Sequence, residues 1–85
     1  MFHDFGSFFR ECRLKRGLTL RTAAIKLGWD SGNLSRMERG LVSPLSSGQR
    51  ISEVSKTLGF SKAAINVLKD LAYQYYVLRL REKFK

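Results

Sequence analysis

The sequence predicts an all-α fold of five helices, and three observations carry that prediction. Apolar residues recur at spacings of three and four rather than two, only one proline (Pro44) interrupts the chain, and glycines stand where each helical pattern runs out. A chain of 85 residues is a single domain with a small core, able to bury about 60–65% of the surface it exposes when unfolded.

The elements follow in order. Phe5, Phe8, Phe9, Cys12 and Leu14 form the apolar stripe of a first helix over residues 5–16; Arg10, Arg13, Lys15 and Arg16 surround it, and Gly17 stops it. Thr19 caps a second helix, Leu20–Leu27, whose narrow buried face is Ala23, Ala24 and Leu27 and whose end is set by Gly28. Trp29 fills the turn, and Asp30 caps a third helix over residues 31–39, with Leu34 and Met37 inward and Gly40 closing it. After Pro44, Ser46 and Gln49 have capping-box spacing for a fourth helix carrying Ile51, Val54 and Leu58 and ending at Gly59. Ser61 caps a fifth, which carries Ile65, Leu68, Leu71, Ala72, Tyr75, Leu78 and Phe84. At 1.5 Å per residue, residues 62–85 reach about 36 Å, longer than so small a core requires. A surplus apolar face of this kind ordinarily meets a partner.

Charge and composition narrow the function. Sixteen Lys and Arg against seven Asp and Glu leave +9, an excess that calls for an anionic partner, while 44% hydrophobic residues keep the chain among folded proteins. Cys12 alone makes neither an internal disulfide nor a four-ligand zinc site, and His3 has no second ligand at metal-binding spacing, so no metal or other cofactor is expected. No apolar run reaches the roughly 20 residues of a membrane span, and no secretion signal opens the chain, which places it in the cytoplasm with no membrane partner. Paired carboxylates in a cleft, a usable histidine and a glycine-rich phosphate loop are all wanting, so an enzyme is not expected.

Two short helices joined by a tight glycine-containing turn form the pattern of a helix-turn-helix. Small Ala23 and Ala24 let the next helix cross closely, while Ser31, Gly32, Asn33, Ser35 and Arg36 are left outward, a polar face suited to a major groove about 12 Å wide. Arg13-Leu-Lys-Arg-Gly-Leu-Thr19, then Ala24-Ile-Lys-Leu-Gly28, then Asn33-Leu-Ser-Arg-Met-Glu-Arg-Gly40 together resemble the lambda-repressor-like or Xre family of DNA-binding domains over about residues 5–60. The resemblance implies a buried ion pair between Arg13 and Glu38, base reading by Ser31, Gly32 and Arg36 with Asn33 beside them, and phosphate contacts by Thr19, Leu20, Arg21, Ser35 and Arg39. It also puts Trp29 where the family carries a Val or Ile that plugs the turn. Three departures stand out: Leu20 replaces a common glutamine, Asp30 replaces a common serine, and Gly32 reads nothing by side chain, so Arg36 is expected to seek a guanine.

Residues 1–85 are thus expected to form one domain of the lambda-repressor-like helix-turn-helix type, with a DNA-binding core at 5–60 and an extended C-terminal helix at 61–85. The expected function is a sequence-specific regulator of transcription, a repressor or autoregulator that binds a pseudo-palindromic operator as a homodimer and is nucleoid-associated when bound. Leu71, Tyr75, Tyr76 and Leu78 are the expected dimer or partner contact, and Arg79, Arg81, Lys83 and Lys85 an alternative contact with the DNA backbone. The competing readings are an antitoxin that holds a toxin on this last helix, and a protein–protein adaptor that retains the helix-turn-helix shape.

Overall fold

Each helix begins at a side-chain oxygen that accepts a backbone N–H three residues on, which satisfies one of the donors a helix start leaves unpaired. In a computed structural model, which describes residues 4–83, Asp4 caps α1 (Phe5–Lys15), Thr19 caps α2 (Leu20–Leu27) and Asp30 caps α3 (Ser31–Glu38). Ser47 caps α4 (Gly48–Thr57), and Ser61 accepts the Ala64 N–H at 3.1 Å at the start of α5 (Lys62–Lys83). The described residues are helices and their connections, with no strand, so the all-α, five-helix class read from the sequence is the class observed.

The ends are set as locally as the starts. Gly28 takes the left-handed conformation (φ 67°), which lets its own N–H and that of Trp29 reach back to Ile25 and Ala24 at 3.2 and 2.9 Å. That single residue turns the chain from α2 into α3.

Packing then assembles the helices around one core. Phe9, Leu34, Ile51 and Leu68 are fully buried, and each such side chain contributes about 1.5–3 kcal/mol of burial. Phe9 stacks on Phe5 and meets Phe60 edge-on at 5.2 Å, joining α1 to the start of α5. α1 lies against α3 and α5, while α4 lies against α5 and α2.

Two expectations change. Ser47, not Ser46, caps α4; the two serines are adjacent and only one points along the helix start, and Gln49 donates to Glu53 instead of closing a capping box. Leu14 is exposed, because the inward position it was assigned is taken by the neighbouring Arg13. Leu71, Tyr75 and Tyr76 are half-buried against the rest of the chain, leaving Leu78 as the exposed member of the expected partner contact. His3, Phe84 and Lys85 lie outside the described residues, as does the side chain of Lys83.

Candidate nucleic-acid interface

The interface is built on α2 and α3, whose mutual seating depends on one charged side chain in the core. Arg13 is 4% exposed and Glu38 5%, so both would be costly to bury alone. Arg13 Nε donates to Glu38 Oε2 at 2.8 Å and Nη2 to Oε1 at 2.9 Å, a two-pronged pairing that matches the planar guanidinium to the carboxylate. Its remaining prong, Nη1, donates to the Leu18 carbonyl at 2.7 Å. One side chain of α1 therefore holds both the end of α3 and the residue just before the cap of α2.

A second contact keeps that arrangement tight. Gly6, inside α1, passes so close to the end of α3 that a Cβ there would collide with the carbonyl oxygens of Met37 and Glu38. Sequence reasoning overlooked Gly6. The available signal was a lone glycine within a helical pattern, which costs about 1 kcal/mol against alanine and so implies a packing reason.

With α3 seated by Leu34, Met37 and Glu38, its other face is open. Ser31, Asn33 and Arg36 are exposed, and Gly32 and Ser35 are half-exposed between them. Arg36 Nη2 donates to Asn33 Oδ1 and stands 4.0 Å from Asp30 Oδ2. Asp30 in turn accepts the Asn33 N–H at 3.2 Å as the α3 cap. At the flank, Thr19 and Arg21 are exposed at the start of α2, whereas Leu20 packs partly onto the core. Thr19 accepts the Thr22 N–H at 3.0 Å and gives its own hydroxyl proton to Thr22 Oγ1 at 2.9 Å. Arg39 is exposed at the α3 end with Nε directed to the Ser35 carbonyl at 3.4 Å.

A short crossing pair with a left-handed glycine turn and an open polar second helix is the geometry of a DNA-reading motif. The family model for a helix-turn-helix domain matches residues 4–68, well over half of the chain. The chain belongs to the helix-turn-helix domain family. No curated protein and no solved structure matches it. The helix-turn-helix so defined contains α1 to α4 and the first turns of α5, and it is a DNA-binding fold. The later turns of α5 lie beyond the matched residues.

Those turns stand beside the connection between α3 and α4. Tyr76 donates its hydroxyl proton to the Pro44 carbonyl, and the Tyr75 hydroxyl is 3.3 Å from Ser43 Oγ. Arg79 Nε donates to the Tyr75 hydroxyl at 2.9 Å. Hydrogen bonding to Ser43, with Arg79 adding to it, holds the Tyr75 phenol below its ordinary pKa. The two tyrosines thereby fasten the connection that leaves α3, which the sequence reading had not foreseen. Among the described residues no helix is long and apolar enough to cross a membrane, and no three His, Cys, Asp or Glu gather as a metal site.

Proposed function

We propose that this chain is a transcriptional regulator, a repressor or autoregulator, that binds duplex DNA sequence-specifically as a dimer on a pseudo-palindromic operator. The carrying observation is the open polar face of α3 held on a rigid seat by the buried Arg13–Glu38 pair. On this reading Ser31, Asn33 and Arg36 meet base edges while Gly32 admits close approach, and Thr19, Arg21, Ser35, Arg39 and the Leu20 N–H meet phosphate. That arrangement is of the lambda-repressor-like or Xre type. Residues 5–60 do the DNA work, and residues 61–85 supply the contact with a second copy.

Dimerisation is supported by what α5 leaves uncovered. Tyr73, Leu78 and Leu80 are each more than half exposed, an apolar surface beyond the part of the chain that the family model matches. Helix-turn-helix dimers place two recognition helices about 34 Å apart, one DNA turn, which is why a two-fold operator accompanies a two-fold protein. The same exposed leucines also fit a protein partner such as a toxin, the role of an antitoxin.

Binding to duplex DNA at 50 and 200 mM salt tests the central claim. Arg21 and Arg39 of two copies give four cationic phosphate contacts, which make the affinity fall about a hundredfold over that range; an affinity indifferent to salt would defeat the proposal in favour of a protein–protein adaptor. Sedimentation with and without operator tests the dimer: a monomer under both conditions removes it.

A further inference from the structure

The arrangement around Arg36 specifies which base the recognition helix selects, given the DNA-binding reading above on which it rests. Arginine offers five N–H donors and no acceptor, so the Asn33 atom facing Arg36 Nη2 is necessarily its carbonyl oxygen. The Asn33 amide nitrogen is therefore turned the other way. Asp30 Oδ2, 4.0 Å from the same Nη2, adds an opposite charge on that side and is itself anchored by the Asn33 N–H. The Asn33 carbonyl thus accepts within the helix, and the other N–H groups of Arg36 and the Asn33 amide are left to donate outside the cluster, beside the exposed Asp30 carboxylate.

Gly32 gives the cluster room. A Cβ at that position would sit 3.0 Å from Asp30 Oδ2 and 3.6 Å from Arg36 Nη1, so the guanidinium lies close over the backbone and a side chain there would require the carboxylate to give by a few tenths of an ångström.

In the major groove guanine shows two acceptors, N7 and O6; adenine shows an acceptor and a donor, and cytosine a donor. We propose that Asp30, Gly32 and Asn33 are positioning residues that hold Arg36 as a donor-only reader of guanine, and that Asn33 is thereby prevented from reading adenine. An asparagine recognises adenine only by offering its carbonyl and its amide nitrogen together, and here the carbonyl is engaged by Arg36. Asp30, a liability for DNA binding when viewed alone, becomes part of the specificity.

Selection of bound sequences from random duplex DNA tests this, using the full chain and its variants. Wild type is expected to enrich one guanine per half-site. Arg36→Ala should lower preference for that guanine about tenfold or more, and should raise adenine there or at the adjacent position, because Asn33 regains its free carbonyl. Asn33→Ala should lose most of the guanine preference, whereas Asn33→Asp, which still accepts from Arg36 but has no N–H to offer, should retain it. Asp30→Ser keeps a capping hydroxyl, so it should bind unrelated DNA more tightly while discriminating guanine less. Enrichment of adenine or cytosine by the wild-type chain at the Arg36-dependent position, or equal damage from Asn33→Asp and Asn33→Ala, overturns the proposal while leaving DNA binding intact. No enriched sequence together with salt-indifferent affinity overturns both.

Discussion

At the scale of single residues, the buried charge pair Arg13–Glu38 serves geometry. Burial desolvates both charges, and each of Arg13 and Glu38 offsets that cost for the other only while both are present. Glu38→Gln should lower stability by about 3–5 kcal/mol in chemical denaturation, leaving Arg13 buried without its counter-charge. Replacing both with Met and Leu should cost much less, which would separate the pair's role in seating α3 from any net contribution to stability. Cys12 provides a different residue-level reading. It is buried in the cleft between α1 and α5 beside Phe8, Phe60 and Val67, and burial pushes its thiol above the ordinary pKa, with Lys15 partly opposing and Glu11 adding to the rise. A raised folded pKa means the folded state holds the proton longer than the unfolded one. The associated stability is fully present below the unfolded thiol's pKa and is lost as pH rises through the higher folded value. Denaturation followed from pH 7 upward should show this decline, and Cys12→Ala should flatten it.

Among the elements, α1 and α3 are joined by backbone proximity that no side chain could replace. Gly6→Ala gains up to about 1 kcal/mol of helix propensity and loses about 1–3 kcal/mol by forcing α1 off the end of α3. The net is destabilising, and a lower thermal midpoint together with weaker DNA binding is the expected result. The contrast between elements also shows what a one-dimensional reading can reach. The bounds of α2, Leu20–Leu27, were legible because Thr19 and Gly28 act on their immediate neighbours, and the outward set on α3 followed from the inward spacing of Leu34 and Met37. Gly6, the pinning of Pro44 by Tyr76 and the folding of Arg36 onto Asn33 were not legible. The first two join residues 31 or more positions apart, and the third is a choice of rotamer. Ser46 against Ser47 failed for a simpler reason: adjacent identical residues give a capping rule nothing to choose by.

For the whole molecule, the principal extents of 41 × 26 × 25 Å show one long direction, and α5 with 22 residues is a helix about 33 Å long. From Leu78 to Glu82 every residue is exposed. A helix end without neighbours is held only by its own hydrogen bonds, and short isolated helices are marginal in water. Its amide hydrogens should therefore exchange with deuterium fastest of any helical segment in the monomer, while those around Phe9 and Leu68 exchange slowest. The overhang is consequently a built-in footprint detector: whichever surface it joins, a second copy, a phosphate backbone or another protein, must record itself as slowed exchange along this one segment.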